Sequence, residues 1–184
     1  VTFNMINNEI EVHEKKAEPW RVTLVDTGDE TLTAGRLKRI KKFLSNNEVF
    51  CLTYGDGVAD INISSQIDFH KKHGKLATMT AVQPPGRYGA LARDGTNVKA
   101  FLEKPPGDGA WINGGFLILH PKVIDFIKGD GCSLEGDVLG AIANAGELQA
   151  FEHHGFWQPM DTLRDKNHLE HLWSSNAAPW KCWI

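Results

Sequence analysis

Apolar positions in the first part of the chain alternate. Val1, Phe3 and Met5 are followed by Ile10 and Val12, with Asn7-Asn8 between them as a turn, and Val22 to Val25 reads as another strand. Residues 1–25 are therefore expected to form a β-ribbon. The period then changes. Thr33 opens a helix in which Leu37, Ile40 and Leu44 recur at helical spacing, and its other face carries Arg36, Lys38, Arg39, Lys41 and Lys42. The apolar run Val49-Phe-Cys-Leu52 suits a buried parallel strand and ends in Tyr54-Gly-Asp-Gly57. Ser64 is placed to cap a second helix through His73, and residues 75–82 return as a strand. Strand, helix and strand in succession predict an α/β sheet with right-handed crossovers.

The second half adds antiparallel signals. Residues 88–93 and 98–103 flank Asp94-Gly95 as a hairpin, and residues 111–120 form a strand interrupted by Asn113-Gly-Gly115. Pro121 begins a helix carrying Val123, Ile124 and Ile127. Leu134, Val138, Leu139 and Ile142 mark another helix, which Gly146 stops. Residues 148–156 read as a strand, and Thr162 caps a last helix with Asp165 in its first turn. The sheet is thus expected to be mixed and to belong to a single domain spanning residues 1–184.

Composition narrows the class of function. The 184 residues, 41% hydrophobic and 23% charged, suffice for one packed core. Twenty Lys and Arg against 23 Asp and Glu leave a net charge of −3, which argues against a nucleic-acid partner. The basic face around Arg36 reads better as a solvated helix face. No apolar run reaches the ~20 residues of a membrane span, so no membrane partner is expected. The odd set Cys51, Cys132 and Cys182 shares no metal or redox spacing, which suggests a reduced, cytoplasmic protein. His70 and His73, like His168 and His171, sit at helical spacing, but no Cys or third ligand lies at zinc spacing.

Four segments carry candidate chemistry. Gly55-Asp56-Gly57 ends a buried strand, where α/β proteins place ligands. On the triplet alone, a turn that happens to contain Asp is the simpler reading. Asp161 follows a strand and precedes a helix, so a helix-capping carboxylate is its simpler reading in isolation. Together the two carboxylates would make an oxygen-rich site suited to Mg²⁺ shared with substrate phosphates. Glu103-Lys104-Pro105 closes a strand, where Lys104 is either a phosphate ligand or a solvated strand end. Asn113-Gly-Gly115 offers bare backbone for close approach of a sugar, or is merely a bulge.

The ordered series Val25-Asp-Thr-Gly28, Arg36-Leu-Lys-Arg39, Tyr54-Gly-Asp-Gly-Val-Ala-Asp60, Pro85-Gly-Arg87, Glu103-Lys-Pro105, Ile112-Asn-Gly-Gly-Phe116 and Gly155-Phe-Trp-Gln-Pro-Met-Asp-Thr-Leu-Arg-Asp-Lys166 resembles the glucose-1-phosphate cytidylyltransferases, a branch of the sugar-phosphate nucleotidyltransferases. The resemblance extends over essentially the whole chain. It implies a Rossmann-like mixed sheet flanked by helices, the nucleotide-diphospho-sugar transferase fold. It implies transfer of a cytidylyl group from CTP to glucose 1-phosphate, giving CDP-glucose for dideoxysugar and O-antigen synthesis. A sister uridylyl- or thymidylyltransferase, or a non-catalytic fragment that binds sugar phosphate, are the alternatives.

By the same resemblance, Asp56 and Asp161 are Mg²⁺ ligands, and Gly55, Thr31 and Arg36 belong to the nucleotide site. Glu103 and Lys104 hold sugar and phosphate, and Gly89, Asn113 and Gly114 line the sugar pocket. A homo-oligomer built through the ribbon of residues 1–25 is also implied. Three departures stand out. The family's Gly-rich loop of type G-G-x-G-T-R and its following Lys are not in this sequence. The expectation is therefore of the family's C-terminal two thirds, without CDP-glucose synthesis from these 184 residues alone. The family's Thr-Gly-Gly-Arg is here Thr33-Ala34-Gly35-Arg36, so an Ala34 methyl at positive φ would crowd a base. Its Trp-Glu-x-x-Pro-Leu is here Leu134-Glu-Gly-Asp-Val-Leu139.

Overall fold

A computed structural model describes residues 2–13, 20–45, 47–86 and 88–182 of the chain. Its strands and α-helices run β1 (Thr2–Asn4), β2 (Glu9–Glu11), α1 (Thr33–Arg39), β3 (Phe50–Thr53), β4 (Gly57–Ala59), α2 (Ile63–His73), β5 (Ala77–Val82), β6 (Ala90–Asp94), β7 (Asn97–Leu102), β8 (Ile112–Leu119), α3 (Gly140–Asn144), β9 (Leu148–His153), β10 (Trp157–Pro159) and α4 (Leu163–Ser174). The central sheet has the order β3-β8-β5-β9. It is mixed, because β8 runs antiparallel to β3 and β5 while β9 runs parallel to β5. Three two-stranded pairs surround it: β1 with β2, β4 with β10, and β6 with β7.

One face of the sheet carries the main core. Leu117 and Leu119 of β8 meet Leu37 of α1, Val123, Ile124 and Ile127 of a 3₁₀ turn, and Leu134, Val138 and Ile142 beyond it. Each buried aliphatic side chain of this kind stabilises the fold by about 1.5–3 kcal/mol. The opposite face is unusually polar. Thr78 and Thr80 alternate along β5 and face Gln66 and His70 of α2, all four buried. The Gln66 amide donates to the Thr80 hydroxyl at 2.7 Å.

Several local expectations are corrected. Residues 22–25 form no strand; Val22 and Leu24 are exposed, and the stretch has no sheet partner among the described residues. The ribbon is therefore the β1–β2 hairpin, and residues 1 and 14–19 of the expected ribbon lie outside the described residues. β3 is not a buried parallel strand. Among the described residues its partner is the antiparallel β8, and its side chains alternate between half-buried and exposed, as a pleated strand with one covered face does. The cap of α2 is Asn62, not Ser64: its side chain accepts from the Ser65 amide at 2.9 Å. The 148–156 strand breaks after His153, and Trp157 to Pro159 leave the central sheet to pair with β4. No helix among the described residues is long and apolar enough to cross a membrane.

Candidate active site

Two short strands place Asp56 and Asp161. In the β4–β10 pair Gly57 faces Pro159, so the residues just outside it, Asp56 and Met160, are also opposed. The Met160 amide donates to the Asp56 carbonyl at 2.7 Å, and Asp161 follows. The cap of α4 is Thr162: its hydroxyl accepts from the Asp165 amide at 3.2 Å, and the Asp165 carboxylate answers the Thr162 amide at 3.0 Å. This reciprocal box fills the cap without Asp161, so the reading of Asp161 as a capping carboxylate is overturned. Both carboxylates belong to exposed residues.

The Asn113-Gly-Gly115 segment is a bulge, and it abuts the same strands. The β5–β8 register shifts between Met79 and Ala81, opposite these residues. Gly115 has φ +79°, and a Cβ there would stand 2.8 Å from the Tyr54 ring. The Gly115 carbonyl accepts from the Tyr54 amide at 3.3 Å, and the Gly114 carbonyl accepts from the Trp157 indole at 2.7 Å. Asp56, Gly55, Asp161, Asn113 and Gly114 are thereby gathered around one junction of β4, β8 and β10.

Glu103, Lys104 and Gly89 lie at the base of the β6–β7 hairpin. A Cβ on Gly86 would come within 2.2 Å of the Pro105 carbonyl oxygen, and one on Gly89 within 2.5 Å of the Phe101 ring. These contacts seat residues 84–89 against 101–105, and the Lys104 amide donates to the Tyr88 carbonyl at 3.2 Å. Lys104 itself has φ +49°, although it precedes a proline. Such strain concentrates where surrounding structure holds a residue for a task. Its ammonium lies 3.5 Å from the Glu103 carboxylate, and both side chains are exposed. A cavity of about 770 Å³ lies beside Asp161, with Pro84, Pro85, Gly86, Trp157 and Arg164 also on its wall. Arg87, part of the Pro85-Gly-Arg87 motif, lies outside the described residues.

The nucleotide-loop residues are placed differently. Thr31 is only 5% exposed and is packed within its loop. The Arg36 guanidinium donates to the Thr27 hydroxyl at 2.7 Å and to the Asp29 carbonyl at 3.1 Å. Its neighbours on the basic helix face stay exposed, as a solvated face should, while making surface contacts. Lys38 donates to the Ile127 carbonyl at 2.7 Å, and Arg39 makes a two-pronged contact with Asp130. Ala34 is helical, fully buried and part of the core, so its methyl faces away from any base. The glycine that matters is Gly35, where a Cβ would lie 2.6 Å from the Asp130 carbonyl oxygen.

Tyr54 and Glu135 escaped the sequence reading as a pair. The Tyr54 phenol donates to Glu135 across 81 positions of chain. Burial first, and this bond second, push the phenol's pKa up, while the Asn113 side chain acts in the opposite sense. Tyr54 therefore stays a protonated donor. Neither periodicity nor spacing could reveal this tie; only the Glu retained beside Leu134 hinted at a role.

The chemistry of these donors fits magnesium. Asp56 and Asp161 offer hard carboxylate oxygens on adjoining backbone, the type of ligand Mg²⁺ takes while keeping waters and phosphate oxygens. Among the described residues, no group of three or more His, Cys, Asp or Glu side chains comes together as a complete protein cage.

Comparison with known proteins places the chain. The family model described as nucleotidyl transferase matches residues 4–165. A glucose-1-phosphate cytidylyltransferase of Salmonella typhi is 59% identical over 183 residues, covering 100% of this chain and 71% of that protein. A probable glucose-1-phosphate cytidylyltransferase of Bacillus subtilis is 39% identical, covering 90% of this chain and 65% of its own length. Among solved structures, a putative glucose-1-phosphate thymidylyltransferase of Bacillus anthracis superposes with a TM-score of 0.59 at 18% identity, over 85% of this chain and 65% of that one. The architecture is thus the nucleotide-diphospho-sugar transferase fold. From this family match and the near relatives that accompany it, the chain belongs to the nucleotidyl transferase family.

Proposed function

We propose that the chain transfers the cytidylyl group of CTP to glucose 1-phosphate, forming CDP-glucose and releasing pyrophosphate. The observation that carries the reading is the 59% identity to a glucose-1-phosphate cytidylyltransferase along the whole chain. The junction that brings Asp56, Asp161 and Asn113 together supports it. The sugar phosphate oxygen attacks the α-phosphorus in line, and the phosphorus–oxygen bond to pyrophosphate breaks. The attacking phosphate is already an anion, so no side-chain nucleophile is required. Catalysis then rests on positioning and on neutralising charge.

Asp56 and Asp161 would hold a magnesium ion, which when bound supplies positive charge to the nucleotide phosphates. Lys104 offsets the charge of the glucose 1-phosphate, and Glu103 accepts from sugar hydroxyls. Asn113 and the bare Gly114 backbone let the hexose come close, while Arg36 and Thr31 shape the nucleotide loop around Gly55. The exposed Phe3, Ile6 and Ile10 of the first hairpin support assembly with further copies of the chain. The three free cysteines are consistent with a cytoplasmic setting.

Pyrophosphate release tests the reading, with the chain assayed alone and joined to a segment carrying the Gly-rich loop and its Lys. CTP with glucose 1-phosphate should give the highest kcat/KM among CTP, UTP, dTTP and GTP. A preference for UTP or dTTP, or the absence of turnover in both forms, would refute it.

A further inference from the structure

Glu135 takes two hydroxyl donors from segments far apart in the chain. The Tyr54 phenol donates to one carboxylate oxygen, and the Thr33 hydroxyl donates to the other at 3.2 Å. The Thr33 hydroxyl simultaneously accepts from the Leu134 amide at 2.7 Å, which commits its proton to Glu135. Each donor sits at the start of a site segment. Tyr54 directly precedes Gly55-Asp56, and Thr33 opens α1, which carries Arg36. The Tyr54 amide donates to the Gly115 carbonyl at 3.3 Å, so the bulge at Gly114 is tied in as well.

Glu135 is itself held firmly. It lies in a π-helical turn, Leu134–Leu139, whose Leu134 and Val138 are buried in the core. Ser133 caps that turn by accepting from the Gly136 amide at 3.1 Å. π-Helical turns recur at functional sites. Yet Glu135 belongs to the exposed residues, so a carboxylate anchored from below stands at the edge of the site.

We propose that Glu135 is a positioning residue for nucleotidyl transfer, its carboxylate fixing the separation between the nucleotide loop and the Asp56 loop. This rests on the cytidylyl-transfer reading. An ionised carboxylate can accept from both hydroxyls at once, whereas an amide offers one acceptor oxygen. Glu135→Gln therefore releases one of the two segments while keeping the side chain's size.

The test uses whichever form of the protein turns over CTP. Glu135→Gln should lower kcat about 10- to 100-fold, the scale of a misplaced reacting group, with each KM changed less than about threefold. Tyr54→Phe should lower kcat as well, and the double variant should lose less than the two single losses combined, because the two variants share the Tyr54–Glu135 bond. Thr33→Ser, which keeps the hydroxyl, should retain wild-type kcat, while Thr33→Val should not. A kcat for Glu135→Gln within about twofold of wild type, or fully additive losses in the double variant, would overturn the proposal. Amide hydrogen exchange of the variant decides independently of turnover. Faster exchange in either 31–36 or 54–56 supports the tie even if CTP proves not to be the substrate, and unchanged exchange in both refutes it.

Discussion

The backbone amide of Met160 donates to the carbonyl of Asp56 across 2.7 Å, joining segments that are 104 positions apart. This bond extends the β4–β10 pair by one residue beyond Gly57 and Pro159. It fixes Asp161 one position from the partner of Asp56, and Thr162 then begins the helix. Two carboxylates that the chain separates widely are delivered to one sheet margin by backbone pairing alone.

The division of labour between Asp161 and Thr162 can be measured. Thr162→Ala should destabilise the protein by about 0.5–2 kcal/mol through loss of the cap. Asp161→Ala should leave stability within about 0.5 kcal/mol. Urea denaturation of both variants checks this; the opposite order would return Asp161 to the capping role.

Lys104 combines a left-handed backbone with an exposed ammonium, 3.5 Å from the Glu103 carboxylate, at the hairpin base. Lys104→Ala should weaken glucose 1-phosphate by roughly ten- to a hundredfold in kcat/KM, the value of a charge-assisted contact of ~1.5–3 kcal/mol. Lys104→Gly should bind as poorly yet be no less stable than the Ala variant, since glycine accepts positive φ without strain. Sugar-phosphate titrations and thermal melts of the pair provide the measurement. A change confined to the CTP parameters would contradict the assignment.

The neighbouring positions Ala34 and Gly35 should both lose stability on a swap of one methyl, for opposite reasons. Gly35→Ala pushes a Cβ into the Asp130 backbone and should cost about 1–3 kcal/mol by overpacking. Ala34→Gly removes a buried methyl from α1 and should cost about 1 kcal/mol without altering the preference for CTP. Nucleotide selectivity that changes with Ala34→Gly would show that this methyl faces the base after all.

Buried His70 makes stability depend on pH. Its Nδ1 lies 2.8 Å from the Thr78 hydroxyl, which His73 Nε2 also approaches at 2.7 Å. Burial, with nearby His73 and His120, lowers the His70 pKa to about 4, and burial also lowers that of His73. The unfolded chain takes up a proton near pH ~6.5, while the folded imidazole stays neutral. Stability is therefore full above that pH and falls as pH drops toward about 4. Melting temperature across this range should decline, and His70→Gln should flatten the decline. An identical slope in both proteins would contradict the account.

Much of this was readable from residue order. Period and turn signals gave the α/β class, the β6–β7 hairpin, the Pro121 start and the Thr162 cap, because those features are local. The reading failed where a partner far away decides. β3 looks like a parallel strand until β8 supplies an antiparallel neighbour, and Val22 to Val25 alternate correctly yet have no described strand to pair with. The candidate carboxylates were nameable from the motifs, but their adjacency depends on the β4–β10 pairing. The Tyr54–Glu135 bond depends on three elements converging, which no spacing along the chain encodes.

The central claim is that Asp56 and Asp161 act together as a magnesium site for the nucleotide sugar. Calorimetric titration of CDP-glucose into the wild-type chain and into Asp161→Asn, each with and without Mg²⁺, tests it most directly. The account predicts that Mg²⁺ tightens CDP-glucose binding at least about tenfold in the wild type, equivalent to ~1.4 kcal/mol. It predicts that this enhancement vanishes in Asp161→Asn while the melting temperature is unchanged. An equal Mg²⁺ enhancement in the variant would remove Asp161 from the site and contradict the account.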